Sequence, residues 1–371
     1  MLLFSMVVTV LIVEVLLSIV VKEKTVEIFE DDVIHDRYDS VVGWTNYKGI
    51  TYRLEGREYS NSITTNDEGF VDAFWNITPE KGVKRIVALG DSFTEAVQVP
   101  REQRFTDILE NISTHKGGSK LEILNFGVGG YSPCEEIRVW QKKANLYTHE
   151  IVIMFFYVGN DFQGNFDRYG SGVYCFVQDK KVKTGFNDVQ HKNDFVEMTI
   201  SKFFQETNIG LLLLRTLRYS SLSISVAELV GIEPHTSIVD LFDIEKNDTS
   251  YFGNTADILV AFARELQLEN KKVYIVLIPH QAQVDLKILD SLANKFNYLP
   301  SRLDSNRPTE FLKNKLSSAS IPFVDLTGNF RKAFNNGSMI YFQRDGHLTS
   351  DGHMLVANEV YQTLQSDDGK H

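Results

Sequence analysis

The chain has 371 residues, 43% of them hydrophobic and 23% charged, enough apolar surface for a large core and too much for disorder to dominate. A formal charge of −11 with no basic stripe excludes a broad nucleic-acid footprint, because phosphate binding requires clustered Lys and Arg. Cys134 and Cys175 are the two cysteines; they allow at most one bridge, lack the short paired spacing of a zinc ribbon, and are expected to be ordinary semi-buried thiols.

Residues 1–21 contain MLLFSMVVTVLIVEVLLSIV, apolar for about the 20 residues with which a helix crosses a bilayer. A secretory signal would show a basic start, a shorter apolar core and a small-x-small cleavage site. None is clear here, so a retained transmembrane anchor is expected. Glu14, in the middle of the segment, is costly in lipid and suits either a partner helix or a protonated, unpaired carboxyl. Lys22 and Lys24 by themselves favour an inside C-terminal end. Residues 22–82 are polar and aromatic, with Gly43-Trp44 and SNSITTNDEGF between short β-like runs, and read as a small irregular module.

From residue 83 the pattern is regular. An apolar strand (83–89) precedes a helix (about 103–111), the strand LEILNFGV, a helix beginning near Pro133 and the strand EIVIMFFYV. Residues 163–250 interrupt the alternation as an insertion. Its segment 200–231 is apolar at helical spacing, which suits packing on the core, a lid over a cleft or a membrane surface. The alternation resumes with a helix (254–268), the strand VYIVLIP, helices around 282–297 and 308–318, the strand PFVDLT and a last helix (about 350–364). In that last helix Met354, Ala357, Val360 and Leu364 share a face. Strands alternating with helices predict an α/β fold: a doubly wound, flavodoxin-like, five-stranded parallel sheet with helices on both faces, carried by residues 83–366. The ligand crevice of such a sheet lies at the carboxyl ends of its strands.

That rim collects the polar motifs. Gly90-Asp91-Ser92 follows the first strand, Gly127 to Gly130 the second and Gly159-Asn160-Asp161 the third, while RDGHLTSDGH precedes the last helix. Each alone is explained by a turn or a helix cap. Together, in this order, they resemble the SGNH (GDSL-type) hydrolase family over residues 83–365, most of the insertion excepted. TNDEGF, LGDSFTEAVQV and DGHLTSDGH are similar to anchored members that act outside the cytoplasm, which argues against the orientation favoured by Lys22 and Lys24.

The resemblance implies a nucleophile at Ser92, oxyanion donors at Gly130 and Asn160, and an acid–base pair at Asp345 and His347. In NFGVGGYS, Gly127 and Gly129 are near misses for the oxyanion glycine, and the block's asparagine is Asn125. Many members space the last pair Asp-x-x-His; this chain has Asp-x-His, a spacing similar to the alginate-acetylation members. His353, with Asp351 beside it, is the rival histidine. His347 is preferred because side chains at i and i+2 of an extended segment point the same way, and His353 is expected to make a structural hydrogen bond.

These residue types suit acyl transfer. A serine hydroxyl needs a neighbouring base to attack a carbonyl, the base needs an acid to hold its tautomer, and the developing oxyanion needs fixed N–H donors. The expected activity is ester hydrolysis on a small-molecule or carbohydrate ester, with no cofactor and no metal. The alternative is O-acyl transfer to a surface polysaccharide, with a multi-span membrane acyltransferase as partner. A metallophosphoesterase would need a further Asp-x-His upstream, where only DDVIHD stands. A catalytically idle binding module is a further alternative, although every expected catalytic residue is present. GVGGYS lacks the third glycine of a dinucleotide fingerprint. His280, directly after the fourth strand, is expected to be structural. Asn76, Asn111, Asn247 and Asn336 head Asn-x-Ser/Thr triplets, which matter only along a eukaryotic secretory route.

Overall fold

The structure, a computed structural model, describes residues 37–39, 41–115, 119–164, 173–186, 238–246 and 249–368. The expected anchor with Glu14, the apolar segment 200–231 and Asn247 lie outside them. No described helix is long and apolar enough to cross a membrane.

Four short strands precede the main sheet. β1 (Arg37–Asp39) pairs with β2 (Gly43–Thr45), and β3 (Thr51–Glu55) with β4 (Ser60–Thr64), both antiparallel. The largely apolar runs then form the central strands β5 (Lys84–Gly90), β7 (Ile151–Tyr157) and β10 (Lys272–Ile278), flanked by the edge strands β6 (Leu121–Asn125) and β11 (Phe323–Asp325). Such runs, without polar alternation, are what a sheet buried on both faces requires. The five strands are parallel in the order β11-β10-β7-β5-β6, the flavodoxin-like order whose switch point lies between the first and third strands of the sheet.

Successive strand residues serve opposite cores. Val87, Leu89, Val152, Met154, Ile275 and Leu277 pack with Trp140 of α3 (Pro133–Lys142), Phe262 of α5 (Thr249–Leu268) and Leu316 of α8 (Arg307–Ser318). Ile86, Ala88, Ile153, Phe155 and Val276 pack with Leu109 of α2 (Phe105–His115), Phe330 of α9 (Thr327–Asn335) and Val360 of α10 (Ser350–Asp368). The outer edge of β6 is closed by side chains: the N–H groups of Leu121, Ile123 and Asn125 donate to Ser113 Oγ (3.0 Å), Glu110 Oε1 (2.7 Å) and Asp72 Oδ2 (3.1 Å). An open edge would template association.

Several expectations need correction. The helix expected near 282–297 is two, α6 (Gln281–Val284) and α7 (Leu286–Lys295), because Asp285 leaves the helical region and caps Lys287 N–H. α9 follows β11 where no helix was expected. In α10, Met354 is exposed and the buried stripe runs through His353, Ala357, Val360 and Leu364. The cysteines are not free thiols: Cys134 of α3 is bonded to Cys175 of β8 (Val173–Gln178), with Cα atoms 5.4 Å apart. β8 pairs with β9 (Lys181–Phe186) in an antiparallel hairpin within the insertion. Cys134 and Cys175 are 41 positions apart in sequence, and only the packing of the hairpin beside α3 brings them together.

Candidate active site

β5 ends in a sharp exit that only glycine permits: a Cβ on Gly90 would stand 2.0 Å from Thr94 Oγ1. Asp91 caps the following helix α1 (Ser92–Glu95), its Oδ1 accepting the Phe93 N–H at 2.9 Å. Ser92 is therefore the first helical residue, half-buried at the carboxyl end of the strand. Its N–H has no protein partner among the described residues, as the first turn of a helix leaves it.

The loop before α10 brings Asp345 and His347 to this rim. It is closed by an antiparallel bridge between Tyr341 and Leu348 and tied to the end of β10 by the Tyr341 hydroxyl, which donates to Pro279 O at 2.6 Å. His347 Nε2 lies 2.8 Å from Ser92 Oγ, and His347 Nδ1 lies 2.6 Å from Asp345 Oδ1. Asp345 Oδ1 also accepts the backbone N–H of His347 at 3.1 Å, and Asp345 Oδ2 accepts the Tyr59 hydroxyl at 3.1 Å. Burial pushes the Asp345 carboxyl up, but the hydrogen bonds and charge of His347, with the Tyr59 hydroxyl, outweigh it and hold the group below its usual range. The pair does not sit on an extended segment as expected. Gly346 has φ +88°, so the loop folds Asp345 back on its neighbour, and glycine is required at that backbone conformation.

The glycine turn after β6 sorts its own N–H groups. Gly127 N–H donates to Asn125 Oδ1 (2.9 Å) and Gly129 N–H to Glu95 Oε2 (3.0 Å). Gly130 N–H has no protein partner among the described residues, and its φ is +78°. Asn125 Nδ2 also donates to Thr94 O at 2.8 Å, joining this turn to the Ser92 turn. From the N-terminal strands, Trp44 Nε1 donates to Gly129 O (3.2 Å) and Asn46 Nδ2 to Glu95 Oε1 (2.7 Å).

Ser92, Asn160, Asp345 and His347 line one cavity of about 350 Å³, together with Phe93, Tyr157, Ile238, His280 and Gln281. Gly130 is not in its wall; it stands on the adjoining turn, where a Cβ would meet the Trp44 ring at 3.5 Å. Asn160 Nδ2 donates to Asp91 Oδ2 at 3.2 Å, leaving its second amide hydrogen for a ligand. Burial pushes Asp91 up to about 6. Behind it, burial and mutual repulsion raise the carboxyls of Glu136 and Asp161 well above their usual range. Among the described residues no group of three or more His, Cys, Asp or Glu side chains converges as a metal donor set.

His280 and His353 serve the frame. His280 caps α6, its Nδ1 accepting Ala282 N–H at 3.1 Å, and burial holds it down to about 4. His353 Nδ1 accepts Phe105 N–H at 3.4 Å; burial, with Arg104 and His347 nearby, holds it down to about 3. What sequence reasoning missed is the N-terminal module, where Trp44, Asn46 and Tyr59 reach the candidate site from positions far away in sequence. No periodicity or motif spacing signals a contact of that kind.

The doubly wound parallel sheet thus presents serine, histidine and aspartate in hydrogen-bonded series at its carboxyl rim, the arrangement that the resemblance to SGNH-type hydrolases implies. Residues 241–371 match the model of a family described as SGNH hydrolase-like domain, acetyltransferase AlgX, the kind of family that the sequence motifs resemble. No curated protein matches the chain in sequence. Among solved structures the chain is similar to an acetyl xylan esterase, AlAXEase, at 14% identity, covering 75% of this chain and 98% of that one, TM-score 0.41. It is also similar to a lipolytic G-D-S-L family member from Veillonella parvula (16% identity, 75% and 97% covered, TM-score 0.39) and a lipase/acylhydrolase from Enterococcus faecalis (14%, 76% and 96%, 0.39). These likenesses are distant, and the fold and the site stand on the chain's own geometry.

Proposed function

We propose that this protein is a serine esterase that cleaves an acetyl or longer acyl ester of a small molecule or carbohydrate through an acyl-Ser92 intermediate. The observation that carries the reading is the unbroken series from Asp345 Oδ1 to His347 Nδ1 (2.6 Å) and from His347 Nε2 to Ser92 Oγ (2.8 Å). His347 takes the hydroxyl proton as Oγ bonds to the carbonyl carbon, and Asp345 stabilises the imidazolium that forms. The negative charge on the carbonyl oxygen is met by the Ser92 and Gly130 N–H groups and the Asn160 amide. The loss of one such donor costs about 100- to 1,000-fold in rate. Collapse expels the alcohol, which receives the proton from His347; water then gives a proton to His347, attacks the acyl carbon and releases the acid, and His347 returns the proton to Ser92.

The family match, described as an acetyltransferase, favours a second reading of the same intermediate: transfer of the acyl group to a sugar hydroxyl of a surface polysaccharide in place of water, with a multi-span membrane acyltransferase as the donor's source. Two features support a membrane-anchored, extracytoplasmic placement. Residues 1–21 are almost wholly apolar, and the Cys134–Cys175 bridge suits an oxidising compartment.

The test incubates the full chain with short and long p-nitrophenyl esters and with a fluorophosphonate probe, beside Ser92→Ala. The parent is expected to be labelled and to turn over, and the substitution to abolish labelling and lower kcat by at least about 1,000-fold. Labelling that survives Ser92→Ala removes Ser92 from the mechanism. Labelling without turnover, with turnover restored by an oligosaccharide acceptor, selects transfer over hydrolysis.

A further inference from the structure

We infer that Glu58 and Tyr59, at the bend of the β3–β4 hairpin, are positioning residues for the Asp345–His347 pair, so that the N-terminal module completes the active centre. The inference rests on the reading of Ser92, His347 and Asp345 given above and adds to it residues from a hairpin outside the four blocks that carry the expected catalytic residues.

The contact is built from two parts. The Glu58 carboxylate accepts three consecutive backbone N–H groups of the acid's turn: Gln343 at 3.0 Å on Oε1, with Arg344 at 2.8 Å and Asp345 at 3.1 Å on Oε2. Successive N–H groups of a turn form a concavity for an anion, and here the anion belongs to the protein. Tyr59 packs its ring on Phe342, with centroids 5.4 Å apart, and donates its hydroxyl to Asp345 Oδ2 at 3.1 Å. Glu58 thus holds the backbone of the turn while Tyr59 sets the rotation of the carboxylate, leaving Oδ1 directed at His347.

The hairpin is firm enough to act as a support. Leu54 and Ile63 pack with Val71 and Val97 in a small core, and Asn61 Nδ2 donates to Val97 O at 3.0 Å. Its bend is shaped around the tyrosine: a Cβ on Gly56 would lie 2.5 Å from the Tyr59 ring, so a side chain there would displace the ring from Phe342. The supported groups need such help, since the side chains of Asp345 and His347 are 22% and 24% exposed on a loop closed by an isolated bridge. A carboxylate on a loop of that kind is free to rotate away from the imidazole unless its second oxygen is also engaged.

The test uses the full chain as Tyr59→Phe, which keeps the ring packing and removes the hydroxyl, and as Glu58→Gln, which keeps the shape and removes the charge. Measured are kcat and KM on a p-nitrophenyl ester, the rate of fluorophosphonate labelling and the melting temperature, with Ser92→Ala alongside. For Tyr59→Phe, kcat and labelling rate are expected to fall about ten-fold, the scale typical of a group that orients a functional histidine or its partner, with KM and melting temperature unchanged. Glu58→Gln is expected to lower both rates in the same direction. Parent-like rates in both variants overturn the inference, and so does a fall in Tyr59→Phe matched by a drop in melting temperature, which is the signature of a structural contact alone. Labelling of Ser92→Ala at the parent's rate instead defeats the underlying reading of Ser92.

Discussion

At the scale of single residues, small backbone facts decide which side chains meet. Gly346 at φ +88° turns Asp345 back on His347, and an Ala there would strain the turn that joins them. His353 carries a prediction of its own. Its folded value is about 3, lowered chiefly by burial, against an ordinary value of about 6.5. Between those limits the unfolded chain binds a proton that the folded chain does not, so stability falls as pH drops through the window. His353→Gln removes that titration while keeping an acceptor for Phe105 N–H. Thermal melts at about pH 7 and about pH 4.5 should therefore show a smaller acid loss in the variant than in the parent; equal losses would mean that His353 does not contribute. Ser92, Asp345 and His347 were nameable from sequence because local motifs carry them. Tyr59 was not, because its partner is 286 positions away.

At the scale of elements, β5, β7 and β10 were legible because strands buried on both faces are almost wholly apolar, while the edge strands β6 and β11 were placed by the alternation of strands with helices. Helix breaks were less legible: Asp285 ends one helix and caps the next, and in sequence it is an ordinary polar residue of an amphipathic run. The bridge between α3 and β8 belongs to this scale too. Its cysteines are 41 positions apart, and a loop of that length implies a stabilisation of about 3–4 kcal/mol by restriction of the unfolded chain. Replacing both Cys134 and Cys175 by Ala is expected to lower the denaturant midpoint correspondingly and to leave kcat of the folded protein near the parent's, since neither lines the cleft. An unchanged midpoint, or a selective loss of kcat, would contradict this.

At the scale of the whole molecule, the N-terminal strands and the parallel sheet work as one compact unit spanning residues 32–188 and 238–371, with Trp44 and Asn46 on the glycine turn and Glu58 and Tyr59 on the acid's loop. The placement proposed above has a direct check. In cell fractionation the full chain is expected with the membranes, and a chain lacking residues 1–21 with the soluble proteins; equal distribution would argue against an anchor. The sequence by itself determined the class of the fold and the rim on which the polar motifs gather, and it singled out the serine, histidine and aspartate that the structure brings into hydrogen-bond contact, because apolar periodicity and short motifs are local properties of a chain. Tertiary structure alone decided that Gly130, and neither Gly127 nor Gly129, keeps an N–H with no protein partner among the described residues, that the cysteines are joined and that a hairpin far upstream grips Asp345. Each of these depends on which distant groups come within about 3 Å of one another, a relation between segments that no single stretch of sequence contains.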